Sequence, residues 1–220
     1  MSKDYEAYQN SGEGGAYHTV GNYNLFMQCN ELNASALREL PNGFYFRLCG
    51  CNELEVWKSV VAEAQYIPYV TEYYEKVYAP HAEEFFSRCL FACDLYGAPV
   101  ASTFIWRSYG LINTVGWFRT LPEYEGLGIG RAILSEILKD AEYPVYLHTQ
   151  PTSARAIKLY SDFGFELVTD PIIGSRRNNL TESLPFLKKV LPAQDFINLR
   201  FKTANVTLLK AASSTDISEF

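Results

Sequence analysis

Between Leu121 and Arg131 the chain reads Leu-Pro-Glu-Tyr-Glu-Gly-Leu-Gly-Ile-Gly-Arg, three glycines alternating with aliphatic residues. Directly after them Ile129, Ile133, Leu134, Ile137, Leu138 and Ala141 keep helical spacing, while Arg131, Ser135, Glu136, Lys139 and Asp140 fall on the other face. Directly before them, Leu111 to Thr120 has strand composition. The backbone must therefore leave a strand, turn sharply and start a helix at once. Glycine lets main-chain N–H groups approach a ligand with no Cβ in the way, and a helix start adds unpaired donors and the positive end of the dipole. Such a turn is an anion site, and a pyrophosphate is its natural guest.

Two familiar phosphate loops do not fit. A P-loop needs Gly-Lys-Ser/Thr, but Gly130 is followed by Arg131 and Ala132. A dinucleotide fingerprint needs a third glycine three places after the second; counting from Gly126 and Gly128 reaches Arg131, and from Gly128 and Gly130 reaches Ile133. Downstream, Val145, Leu147 and Thr149 alternate with Tyr146, His148 and Gln150 in a strand, and Thr152 or Ser153 caps a following helix. That helix carries Leu159-Tyr160 and stops at Gly164-Phe165, where the next strand opens.

Together the two motifs resemble those of the GNAT (GCN5-related N-acetyltransferase) superfamily. Its acyl-CoA loop is written Gln/Arg-x-x-Gly-x-Gly/Ala, and Gly128 and Gly130 stand at the two small positions. Glu125 departs from the pattern, placing a carboxylate where the family has Gln or Arg. The resemblance covers about Phe44 to Asp170. It implies an α/β (α+β mixed) fold, with a mixed, mostly antiparallel sheet flanked by helices and a splayed central parallel strand pair. It implies an acyl-CoA-dependent N-acyltransferase, moving acetyl from acetyl-CoA to a primary amine of a small molecule or peptide by direct attack. By the same resemblance, coenzyme contacts fall on Phe118, Arg119 and Thr120 of the strand before the loop, and on Glu125, Gly126, Leu127, Gly128, Ile129, Gly130 and Arg131. Ser153, Ile157 and Tyr160 of the second motif complete the set.

Roles within that set stay open at this level. The resemblance makes Tyr160 the acid that protonates the departing thiolate, whereas its place on the apolar helix face also suits a core aromatic. Ser153 serves either as a coenzyme contact or as a helix cap. The strand before the loop contains no carboxylate, so the amine's proton goes to a water relay, to Glu63, or to His148, whose ordinary pKa suits a base but which also suits a structural strand histidine. A GNAT-like domain without a catalytic base is alternatively a non-catalytic acyl-CoA sensor or interaction module. Arg176-Arg177 after the last motif is either a contact for a substrate carboxylate or coenzyme phosphate, or a solvated turn. The tyrosines from Tyr66 to Tyr78 suit both core packing and a cationic amine.

The rest of the chain divides around the motifs. Residues 1–16 read as a flexible tail, 17–40 as an N-terminal strand and short helix extension, and 41–171 as the acyl-CoA-binding domain. Residues 172–210 read as a C-terminal extension packing on the same domain, and 211–220 as a second tail. Val20 to Cys29 is strand-like, Val70 to Phe86 is an aromatic helical region broken at Pro80, and Gly97-Ala98-Pro99 joins a hairpin. Leu180 to Val190 suits a helix and Leu199 to Leu209 a last strand.

Composition narrows the partners. With 25 acidic against 19 basic residues the net charge is −6, which opposes binding to nucleic acid or anionic membrane. No apolar run suggests a membrane span and the first residues hold no signal core, so the expected location is cytoplasmic. The five cysteines, Cys29, Cys49, Cys51, Cys89 and Cys93, lack zinc-site spacing and are expected as reduced thiols, with no metal. The expected partners are acetyl-CoA, an amine acceptor and a second copy in a homodimer.

Overall fold

Strand and helix follow from where apolar residues recur every second or every third to fourth position. The structure, a computed structural model, describes residues 20–21, 23–214 and 218–220. The expected tail over 1–16 lies outside them. In chain order the first half comprises β1 (Leu25–Cys29), β2 (Phe44–Leu48), α1 (Leu54–Val61), α2 (Ile67–Tyr73), α3 (Ala82–Arg88), β3 (Leu90–Asp94), β4 (Pro99–Ser108) and β5 (Ile112–Thr120). The second half comprises α4 (Ile129–Leu138), β6 (Val145–Thr149), α5 (Ala154–Asp162), β7 (Glu166–Val168), β8 (Ile172–Ile173), β9 (Arg176–Arg177), α6 (Leu180–Val190), α7 (Ala193–Ile197), β10 (Phe201–Lys202) and α8 (Val206–Ala212).

Eight strands form one sheet in the order β10-β7-β1-β6-β5-β4-β3-β2, and β8 and β9 form a separate hairpin. Only β5–β6 and β7–β10 are parallel among the described pairs, giving the mixed, mostly antiparallel sheet expected. The segment 17–40 supplies a central strand: β1 lies antiparallel between β6 and β7, with Met27 opposite both Leu147 and Leu167. All five of its residues are buried. Gln28 is tolerated there because its amide donates to Thr203 O at 2.8 Å and its Oε1 accepts from Asn205 N–H at 3.1 Å.

Helices cover both faces. On one, α4, α5 and α6 pack Leu134, Ile157, Phe163 and Leu187 against Met27 and Leu147. On the other, the aromatic region folds as α2, a wide turn over Tyr74–Tyr78 and α3, closing over β4 around Trp57, Tyr78, Phe85 and Phe104. Trp57 and Phe85 meet edge to face at 5.0 Å. Beyond β6 the same face is covered by α8, which corrects the expected strand over Leu199–Leu209. Only Phe201 and Lys202 pair there, and Leu208, Ala211 and Ala212 stand at helical spacing against Phe26 and Tyr146. A buried surface to cover overrides local strand propensity.

Met27 joins the two halves of the sheet and is fully buried. Met27→Ala should cost about 2–5 kcal/mol in denaturant unfolding; a loss within about 0.5 kcal/mol, the range of surface substitutions, would show that β1 is peripheral.

Candidate active site

β5 and β6 begin as hydrogen-bonded neighbours and then part. Their pairing comprises Asn113 with Val145 and Thr114 with Tyr146, although β5 continues to Thr120 and β6 to Thr149. A bulge against β4 drives the divergence: Ser102 faces Arg119 and Phe104 faces Gly116, so two residues, Trp117 and Phe118, oppose Thr103 alone. Trp117 takes a φ of 45°, and its indole N–H donates to Tyr78 Oη at 3.1 Å, holding the distorted backbone. The result is a V-shaped opening between two strand edges whose main-chain groups lack their usual partners.

The glycine turn sits at the head of this opening. Gly126 and Gly128 have φ values of 79° and 88°, and Gly128 caps α4 without a side chain, leaving the first-turn N–H groups unclaimed. Ile129 and Ile133 anchor the helix start against Ala92, Val100 and Ala101. A Cβ on Gly130 would stand 3.2 Å from both Phe118 Cζ and Thr120 Oγ1. That Thr120 hydroxyl is buried with no hydrogen-bond partner among the described residues. A tight cradle beside an unsatisfied polar atom fits the anion predicted for this turn.

Three charged members of the predicted set are already paired. Glu125 accepts from Arg155 of α5 at 3.2 Å, so its carboxylate is met by a cation at the surface. Arg131 donates to Asp162 at 2.5 Å, and Lys158 donates to the same carboxylate at 2.7 Å. Arg119 lies 3.8 Å from Glu63. Leu127 is exposed at the turn. A cavity of about 980 Å³ beside Arg131 and Asp162 opens between residues 30–38 and 198–202, at the end of α5 away from Ser153, and takes no part in the V.

On the α5 side, Tyr160 packs its ring 5.8 Å from Phe118, within the parted stretch of β5. Its hydroxyl takes no hydrogen bond from the described residues, and burial pushes the phenol pKa up, so it stays protonated at neutral pH. Ser153 makes no capping bond, leaving its hydroxyl for other work. Ile157 is wholly buried and seats α5 on the sheet.

His148 lies on the opposite face, beyond Tyr146, the last residue of β6 that pairs with β5. Its Nε2 is 2.9 Å from Asn24 Oδ1, while Asn24 Nδ2 donates to Arg177 O. The amide orientation thus makes Oδ1 the acceptor, so Nε2 carries the hydrogen and Nδ1 the lone pair. Burial, with Arg176 nearby, pulls the imidazole pKa down from 6.5 to about 3. No local sequence signal marks Asn24, which lies 124 residues from its partner.

Two outcomes follow from this geometry. Gly130→Val forces its side chain into Phe118 and Thr120 and should abolish measurable coenzyme binding by calorimetry; unaltered affinity would separate the turn from the binding site. Folded His148 refuses a proton that the unfolded chain accepts below 6.5, so its contribution is present above that pH and lost on acidification towards 3. His148→Gln should therefore lose less stability than wild type between about pH 7 and about pH 4, read as Tm; parallel losses would place the imidazole in water.

Among the described residues no helix is long and apolar enough to cross a membrane, and no group of three or more His, Cys, Asp or Glu is placed to hold a metal ion. All five cysteines are free. No curated protein sequence matches the chain. Among solved structures, it is similar to a GCN5-related N-acetyltransferase from Sphaerobacter thermophilus, with 16% identity over 58% of this chain and 42% of that one, TM-score 0.46. It is also similar to an acetyltransferase of the GNAT family from Colwellia psychrerythraea, with 17% identity over 66% and 52% of the two chains, TM-score 0.47. The chain spans less than two thirds of the length of either. A family model described as the acetyltransferase (GNAT) family matches residues 54–165, just over half of the 220 residues, from α1 through both motifs to Phe165. The chain belongs to the GNAT acetyltransferase family.

Proposed function

We propose that the protein is an acyl-CoA-dependent N-acyltransferase that transfers acetyl from acetyl-CoA to a primary amine of a small molecule or peptide by direct attack. The observation that carries this reading is the parted β5–β6 edge, flanked on one face by the glycine-led start of α4 and by Tyr160. The orphaned Thr120 hydroxyl and the close approach at Gly130 fit a diphosphate and the arm behind it. When bound, acetyl-CoA supplies the acyl group already activated as a thioester. First-turn N–H groups of α4 hold the diphosphate, and main-chain donors along Phe118 to Thr120 face the carbonyl where negative charge develops, a preorganised term worth roughly 2.7–4 kcal/mol per donor in comparable sites.

In the transfer a C–N bond forms, a C–S bond breaks, one proton leaves nitrogen and one is taken up by sulfur. Tyr160, protonated and unbonded, is the donor towards sulfur. His148 Nδ1 offers a lone pair on the acceptor side, and the amine's proton goes on to water. The absence of any carboxylate on β5 favours a second reading, a non-catalytic acyl-CoA sensor.

Acetyl-CoA binding and release of CoA thiol across an amine panel separate the two readings. Tyr160→Phe should lower kcat by about 10²-fold or more while acetyl-CoA affinity is kept. Binding without turnover above background in the wild type would establish the sensor, and an unchanged kcat in Tyr160→Phe would remove the tyrosine from the chemistry.

A further inference from the structure

Arg176 has a setting that its sequence neighbour lacks. Arg177 is exposed and pairs with Glu182. Arg176 is drawn inward, its Cζ 4.8 Å from the Phe26 ring centre and 5.4 Å from that of Phe220. Ring faces attract the cation but cannot accept its five N–H donors in plane. Among the described residues no carboxylate pairs with this guanidinium and no acceptor bonds it. Arg176 is partly exposed to solvent. The Glu219 carboxylate, next to Phe220 in the chain, accepts instead from the Tyr109 N–H at 2.5 Å. A half-buried cation without an anion is costly unless something else supplies one.

Its position relates it to the V. Phe26, beneath the guanidinium, is the register partner of His148, and their rings lie 5.2 Å apart. Tyr69 and Tyr73, on the other side, lie within electrostatic reach of Arg176 and contact the Trp117 ring at 6.3 and 5.4 Å. Arg176 is thus bracketed by the parted residues of both strands, His148 of β6 and Trp117 of β5. It stands on the sheet face opposite α4, α5 and Tyr160.

We infer that Arg176 binds a carboxylate of the acyl acceptor, so that the acceptor is an amino acid or short peptide with amine and carboxylate a few bonds apart. This rests on the N-acyltransferase reading for its use in catalysis, but not for the binding itself. A lone planar guanidinium matches a carboxylate through two parallel N–H···O bonds. One positive charge among neutral phenols and aromatic walls suits a monoanion better than a phosphate dianion. The same charge disfavours an ammonium nearby, so it raises the neutral, nucleophilic fraction of the amine. The aromatic faces of Trp117, Tyr69 and Tyr73 are left for the apolar part of the acceptor.

Equilibrium binding, in the presence of CoA, of L-amino acids each matched with its carboxamide and its decarboxylated amine tests this directly. Wild-type protein should prefer the carboxylate member of at least one triplet by about tenfold or more, the scale of a charge-assisted pair. Arg176→Gln should erase that preference while leaving the weak affinity for the decarboxylated amine and the affinity for CoA unchanged. Arg176→Lys, which keeps the charge and the fold but not the planar fork, should recover part of it. A carboxylate preference that survives Arg176→Gln, or no preference in the wild type, overturns the inference. Carboxylate-selective binding without acyl transfer upholds this site and counts instead against the catalytic reading.

Discussion

Two parallel neighbours in a sheet normally stay paired to their ends, because every main-chain donor left open in a protein interior costs free energy. In this protein β5 and β6 part after Thr114 and Tyr146, and the surrounding structure sustains that loss. The bulge at Trp117–Phe118 turns the β5 edge away from β6, and Tyr78 holds the bulged indole from a fully packed aromatic cluster. On the other side, β1 pairs with β6 through all five of its residues and with β7 through Met27 and Gln28, so β6 does not follow β5. The opening is a built feature between two rigid halves, not a frayed edge.

Each face of that opening has its own chemistry. On the α4–α5 face lie the glycine turn, the Thr120 hydroxyl without a hydrogen-bond partner among the described residues, and the Tyr160 phenol packed on Phe118. Across the sheet lie aromatic rings, the His148 imidazole and the Arg176 guanidinium, which has no anionic partner among the described residues. A bisubstrate reaction uses such a division well, since each reactant approaches the parted edge from its own side and neither has to leave for the other to enter.

The glycine turn and the Leu159-Tyr160 helix were legible in the sequence because both are local: glycine spacing and a 3.6-residue period need no tertiary knowledge. The mixed sheet came with the resemblance that these two local motifs carry. The place of β1 was not legible, since nothing in Leu25–Cys29 states which strands it will join, and Gln28 looks solvent-facing until residues 203–205 satisfy it. Leu199–Leu209 misled for a related reason: only Phe201 and Lys202 pair as a strand, and from Val206 the chain turns helical, where Leu208 covers Phe26 and Tyr146. Arg176 and Arg177 look alike in sequence, and only the fold draws one inward and leaves the other in water. The depressed pKa of His148 likewise arises from burial and from Arg176, 28 residues along the chain.

The central claim is that main-chain N–H groups at the parted strand and at the start of α4 grip the acyl donor. Amide hydrogen exchange, resolved by residue with and without saturating acetyl-CoA, reports on those groups themselves. Slowed exchange confined to Phe118–Thr120 and Leu127–Arg131 is the expected result. Protection elsewhere in the molecule, with these amides unchanged under saturation, would contradict it.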